Sequence, residues 1–314
     1  MHKKLVNELR LSFAIRPEGP LLIKSGREAG ADPTLLDMNF VRTTHAELGE
    51  TVYLPGSSLK GAIRSHCEKI GRTVGLNVCN PLDMKSGCGH KLQRLSQQTE
   101  VSGADLYHRL CPICRIFGHT VMSSHIQFSD AYPTPETVRQ ANRTEERDGV
   151  AIDRVSGAVA VGPFQLEVVT RGEFEARMTL RNFQLWHVGL LAVALRDMAN
   201  QWLPLGFARS RGLGRVSLTY RHLEIAYPGQ FGQTDGRDFQ GQILGVTTFL
   251  TDEEIKAYDY TPEEPLVPAA RPEVEKEWGR VTQNWTRPEA IEAVLKATVT
   301  CWAGYVKGKG GVNG

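Results

Sequence analysis

Tyr-Leu-Pro-Gly-Ser-Ser-Leu-Lys-Gly-Ala-Ile-Arg, residues 53–64, carries the clearest structural instruction in this chain. Pro55 and Gly56 close an extended stretch, Ser57 or Ser58 offers an N-cap hydroxyl, and Leu59, Ile63, Cys67 and Ile70 recur at helical spacing. A helix therefore starts here with an apolar stripe for a core. Its entrance has unpaired N–H groups and the positive end of the helix dipole, which together suit an anion. Lys60 and Arg64 share one face four residues apart, so they either hold neighbouring phosphates or form a solvated basic face.

Upstream, Leu5 to Ile23 alternates as a first strand, with Pro17 to Pro20 as a point of interruption. Residues 24–52 read as a long loop, the kind that is usually functional. Asp32 and Asp37 stand in it, and loop carboxylates serve either as turn formers or as acids and bases. Downstream, residues 76–125 hold four cysteines and four histidines without clear periodicity, as expected of an insertion held together by something other than a core. Cys79, Cys88, Cys111 and Cys114, the last pair spaced as Cys-Pro-Ile-Cys, suit a closed tetrahedral zinc site, with His90 or His119 as substitutes for one ligand. The other reading is four ordinary thiols. Cys67 and Cys301 read as packing residues.

Further on, Ile126–Phe128 reads as a short strand, residues 133–157 as a polar arm or hairpin, and Val159–Val169 and Glu173–Leu180 as two strands joined at Thr170-Arg171-Gly172. Trp186–Trp202 has helical spacing and ends at Pro204-Leu205-Gly206. Gly-Phe-Ala-Arg-Ser-Arg-Gly-Leu-Gly-Arg, residues 206–215, lets a backbone pass close to a ligand and offers Arg209, Arg211 and Arg215 as planar donors, unless it is only a tight basic turn. The strand Val216–Ile225 follows. Two halves of strand, helix and strand predict an α+β sheet with helices on one side.

The chain has 314 residues and is 41% apolar, enough for one large domain or one domain with insertions. No run of 18 or more apolar residues and no secretory signal stand out, so a cytoplasmic protein is expected. With 37 Lys and Arg against 35 Asp and Glu, net charge is +2, and only local clustering can favour nucleic acid.

Four of these stretches, in order, resemble the RAMP superfamily (repeat-associated mysterious proteins), specifically the backbone subunits of type III CRISPR effector complexes. They are residues 53–64, Cys-Arg-Ile-Phe-Gly at 114–118, Ala-Ile-Asp-Arg-Val-Ser-Gly-Ala-Val at 151–159 followed by Phe-Gln-Leu-Glu-Val-Val, and the glycine-rich 206–216. The resemblance spans roughly residues 8–220 and implies an α+β, modified ferredoxin-like (RRM-related) palm with a zinc-bound insertion and a thumb hairpin. It divides the chain into an RNA-binding domain at 1–226, with the insertion at 76–125 and the thumb at 133–165, and a docking or linker region at 227–314. It further implies that guide RNA lies on Ser57, Ser58, Lys60, Arg64, Arg154, Arg209, Arg211, Gly212 and Gly214, and that the zinc ligands are the four cysteines, as in the subtype D and E branch.

The family's Asp-x-x-x-Val/Ile-Arg pattern is met by residues 37–42, so the resemblance implies Asp37 as the candidate catalytic residue, with Asp32 in reserve. The implied reaction is Mg²⁺-dependent cleavage of complementary target RNA beside a displaced nucleotide. Partners would be guide CRISPR RNA, target RNA and other RAMP subunits. Thr-Thr-His-Ala-Glu after Arg42 departs from the family's usual wording, so a non-cutting structural subunit is the first alternative, and a precursor-processing endonuclease the second.

Overall fold

A computed structural model of the chain describes residues 3–26, 36–83, 85, 87–98, 100–230 and 237–311. Asp32 lies outside the described residues. Strand β1 (Glu8–Pro17) is followed by the small hairpin β2 (Arg42–His45) and β3 (Gly49–Val52), then helix α1 (Gly56–Thr73). The insertion contains α2 (Cys88–Gln98), α3 (Gly103–His108) and α4 (Pro112–Phe117). Next come β4 (Ile126–Phe128), β5 (Tyr132–Pro133), α5 (Val138–Ala141) and a second hairpin, β6 (Glu145–Ile152) with β7 (Val159–Val168). The chain then runs through β8 (Phe174–Arg181), α6 (Leu185–Ala199), β9 (Val216–Pro228), α7 (Asp252–Ala257), β10 (Glu273–Glu277), β11 (Arg280–Trp285) and α8 (Pro288–Gly308).

The main sheet has the order β10-β11-β9-β1-β8-β4, with β5 also paired to β8, and every neighbouring pair is antiparallel. Within it, β1-α1-β4-β8-α6-β9 forms a βαββαβ unit in the order β9-β1-β8-β4, the ferredoxin-like arrangement. Period two builds it: Leu9, Leu11, Phe13 and Ile15 of β1 are buried, as are Phe174, Ala176, Met178 and Leu180 of β8. A bulge between Ser12 and Phe13 shifts the register of β9, so its buried positions change from Val216, Leu218 and Tyr220 to Leu223 and Ile225.

Helix α6 is buried on nearly all sides because α1, α8 and β9 all pack against it. Gly189 permits this closeness, since a Cβ there would come within 2.3 Å of the Thr298 carbonyl oxygen on α8. Trp186 then stacks on Tyr305 with ring centroids 3.9 Å apart. Each such buried aromatic contributes about 3 kcal/mol of transfer free energy.

Five expectations change here. The first strand stops at Pro17 instead of continuing to Ile23. Neither Ser57 nor Ser58 caps α1: both lie inside the helix, Pro55 holds the N-cap position, and Asp130 Oδ1 accepts the Gly56 N–H at 2.7 Å. β7 pairs with β6 in a separate hairpin, not with β8. The insertion has its own apolar cluster, in which Cys88, Leu92, Tyr107 and Leu110 meet Val246 and Tyr260. Residues 227–314, expected as a docking or linker region, are built into the palm: β11 extends the sheet beside β9, and Ile291, Val294, Trp302 and Tyr305 of α8 complete the core.

On the open face of the sheet, cations are neutralised locally. Glu173 binds Arg16 and Arg221, and Glu8 binds Arg10 and Arg181. Burial works to raise the Glu173 pKa, but Arg221 and Arg16 outweigh it and hold the carboxyl below its ordinary range.

Glu263 is a different case. Its Oε1 accepts the Trp186 N–H at 3.3 Å, while its buried Oε2 has no partner. Burial pushes its pKa up to about 8, and the backbone N–H groups of Trp186 and Leu185 offset this only in part. The folded chain therefore keeps this proton to higher pH than the unfolded chain, and stability is lost as pH rises from the unfolded carboxyl range towards 8. Glu263→Gln is expected to stabilise the fold by about 2 kcal/mol at pH 8 and by little at pH 4.5, as read by urea unfolding. An equal effect at both pH values would contradict this.

Candidate nucleic-acid interface and metal centre

The glycine-rich loop is bent by its glycines. Gly206, Gly212 and Gly214 all have positive φ, and a Cβ at Gly206 or Gly214 would come within 2.2 Å of the Leu22 oxygen or 2.0 Å of the Leu205 oxygen. Backbone bonds from Phe207 N to Leu22 O at 2.7 Å and from Gly214 N to Pro20 O at 2.8 Å tie the loop to the segment after β1. Arg211 is held with its guanidinium 5.6 Å from the ring centre of Phe164 and 5.4 Å from that of Phe207, which links the loop to the base of the β6–β7 hairpin.

Two adjoining clefts separate this loop from α1. One, of about 370 Å³, is lined by Lys24, Ser58, Gly61, Ala62, Ser65, Phe207 and Arg209 among others. The other, of about 280 Å³, shares Ala62, Ser65 and Arg209 and adds Lys69, Trp202 and Ser210. Together they form a groove along one face of α1. Ser58, Ala62, Ser65 and Lys69 fall at i, i+4, i+7 and i+11, so this stripe of small residues ending in a lysine is legible from helical spacing alone. Lys24 and Lys69 are the cations that sequence reasoning missed.

Lys60 and Arg64 face elsewhere. Lys60 Nζ donates to Ser124 Oγ at 2.8 Å, and burial followed by the charge of Arg64 lowers its pKa. Arg64 donates to the Gly118 carbonyl at 3.0 Å, to Glu68 Oε1 at 3.0 Å and to Cys114 Sγ at 3.4 Å. Burial opposes its charge, but Cys114 and Glu68 outweigh burial and raise its pKa. Ser57 is exposed, and Ser58 alone of the expected α1 residues joins Arg209 in the groove. Arg154 lies exposed in the turn of the β6–β7 hairpin, where Asp153 Oδ1 accepts from Val155 N and Ser156 N. The hairpin spans 145–168, within and beyond the expected 133–165.

The Sγ atoms of Cys79, Cys88, Cys111 and Cys114 lie within 4.8 Å of one another. Cys79 is 3.6 Å from both Cys111 and Cys114, close to the edge of about 3.8 Å that a tetrahedron of 2.3 Å Zn–S bonds requires. Cys88 begins α2, Cys111 takes the N-cap position of α4 and Cys114 lies in α4, so two helices and the loop that carries Cys79 converge on one point. Cys111 N–H points at Cys88 Sγ at 3.4 Å. The crowded thiols shift one another: Cys79 is lowered to about 6 and Cys111 is also lowered, whereas Cys88 and Cys114 are raised. The donor set fits a structural zinc ion, and it is complete with four sulfurs. His90 and His119 are outside it, and His119 Nδ1 instead accepts the Val121 N–H at 3.1 Å.

Asp37 is exposed at the foot of the β6–β7 hairpin, where its Oδ2 accepts the Gln165 N–H at 2.9 Å. Among the described residues, no group of three or more His, Cys, Asp or Glu gathers around it. No helix among the described residues is long and apolar enough to cross a membrane. No curated protein matches the chain. The family model described as the RAMP superfamily matches residues 15–217, from within β1 to the start of β9, which includes the groove, the four cysteines and the β6–β7 hairpin. With the βαββαβ sheet and nearly two thirds of the chain matched, the protein belongs to the RAMP superfamily.

Proposed function

We propose that this chain is a cytoplasmic backbone subunit of a type III CRISPR effector, in which it holds guide RNA along the groove between α1 and the glycine-rich loop. The observation that carries this reading is the groove itself. Lys24, Lys69 and Arg209 converge on it, and no Asp or Glu lines it among the described residues. In a chain of net charge +2, that local excess suits a phosphate backbone and asks nothing of the base sequence. Arg211, Gly212 and Gly214 shape the loop that forms one wall. Lys60 and Arg64, on the far side of α1, brace the insertion. The four cysteines hold zinc, as in the subtype D and E branch, and neighbours along the guide are other RAMP subunits.

The test is charge reversal of Lys24, Lys69 and Arg209 together. RNA co-purifying with the chain is expected to fall, and the log–log salt dependence of binding to lose about one unit of slope per residue. RNA retention with an unchanged slope would refute the groove reading.

We assign to Asp37 the cleavage of target RNA pairing with the guide. Asp37 takes the proton from a ribose 2′-hydroxyl, the 2′-oxygen attacks the adjacent phosphorus, and the 5′-oxygen leaves with a proton from water, giving a 2′,3′-cyclic phosphate. Mg²⁺, when bound, would neutralise charge on the phosphate. Among the described residues Asp37 belongs to no group of three or more metal-binding side chains, and what it contributes is the carboxylate. That isolation is also what favours the second reading, a guide-binding subunit that does not cut.

A further inference from the structure

Of the five tryptophans, Trp186, Trp285 and Trp302 are buried, and Trp278 sits at the turn between β10 and β11. Trp278 is 96% exposed and Trp202 66%, but of the five only Trp202 lines the groove, beside Lys69 and Arg209. Its position, more than its exposure, is what needs a reason: a large aromatic face is left in water beside two groove cations.

The indole is also held in place. Gln201 just before it adopts the left-handed conformation at φ +65°, an unusual geometry for a residue with a side chain, and this turns the chain outward after α6. Trp202 N–H donates to the Asp197 carbonyl at 2.8 Å. The Arg196 guanidinium lies 5.6 Å from the indole centroid, and its Nη2 donates to Asp197 Oδ1 at 2.8 Å. Asp197 Oδ2 in turn meets His66 Nε2 on α1 at 2.7 Å. The tryptophan is thus fixed on one side by an arginine anchored to α1, which leaves the exposed area to its other face and edges.

We infer that Trp202 is a stacking platform for one nucleobase of the strand that lies in the groove. The inference rests on the proposed RNA-binding function and adds a contact to the base where the cations contact only phosphate. A flat, preordered π-face beside cations suits a single-stranded nucleic acid, because every base can stack on it whatever its identity. An apolar protein partner fits less well, since Lys69 and Arg209 line the same cleft and Arg196 lies over the ring, charges that such a partner would have to desolvate.

Binding of the full chain to single-stranded oligouridylate, and to an equally long strand of abasic riboses, tests this. Trp202→Ala is expected to weaken oligouridylate binding about tenfold and leave abasic binding and the salt slope unchanged, with Trp202→Phe recovering most of the loss. Arg209→Ala should weaken both strands and reduce the slope. If Trp202→Ala binds oligouridylate as the parent does while Arg209→Ala is weakened, the stacking inference is overturned and the groove reading survives. If neither substitution matters, the groove reading falls as well. Equal losses on both strands would mark Trp202 as a structural support. Unaltered RNA binding with lost association to other subunits would mark a protein interface. Both outcomes refute stacking.

Discussion

Cys111→Ser is expected to abolish stoichiometric zinc in native mass spectrometry and to destabilise the chain by about 5 kcal/mol, with loss of structure concentrated in residues 76–125. Cys111 takes the N-cap position of α4 and touches both Cys79 and the backbone side of the Cys88 contact, so its loss opens the centre of the cluster. A structural zinc ion contributes roughly 10–16 kcal/mol to small zinc-folded peptides, but the apolar cluster around Leu92, Tyr107 and Leu110 retains part of the insertion's structure without it. The effect should extend to α1, because Arg64 donates to Cys114 Sγ while its helix forms one wall of the groove. Treatment with a strong chelator should reproduce the substitution. A parent protein that carries no zinc after purification in zinc-containing medium, or a variant with unchanged thermal unfolding, would remove the metal from the account.

Asp37→Ala is expected to slow target-RNA cleavage by about 10²- to 10⁴-fold, the range for removal of a general base, with guide and target binding intact. Asp37→Asn sharpens the result. Its side-chain oxygen can still accept the Gln165 N–H that Asp37 Oδ2 accepts at 2.9 Å, so the foot of the hairpin is preserved while the base is gone. Both variants should therefore fail to cut, and only Asp37→Ala should loosen the hairpin, as read by hydrogen exchange at Gln165. Cleavage at the parental rate by assembled complexes of both variants would leave the chain as a guide-binding subunit without its own nuclease activity. Cutting by Asp37→Asn but not by Asp37→Ala would show that Asp37 positions the hairpin and does not take the proton.

Much of the palm was legible along the chain. Alternation in β1 and β8, helical spacing in α1 and α6, and the glycines of 206–215 each state a local preference that the neighbouring residues reinforce. The four cysteines were legible as a set because thiols clustered in a polar segment have few other uses. What the sequence could not show was where each preference points. Lys60 and Arg64 have the spacing of paired phosphate ligands, and they do share one face of α1. Which face met the groove depended on the insertion, whose Ser124, Gly118 and Cys114 draw both side chains the other way.

The same holds for the start of α1. Nearby serines were the local candidates for its cap, but Asp130, 74 positions later, supplies the acceptor, since β4 and its following turn bring a carboxylate to the helix end. Residues 227–314 read as a linker because their Pro and charged residues mask short strands, yet pairing with β9 and packing on α6 draw them into the core. The sequence by itself thus determined most elements up to β9, the motifs and the four cysteines that form the candidate metal site, because these follow from residue type and spacing over one or two turns. Tertiary structure alone decided which cations share the groove, where Trp202 stands and what caps α1, because those outcomes depend on surfaces brought together from distant parts of the chain.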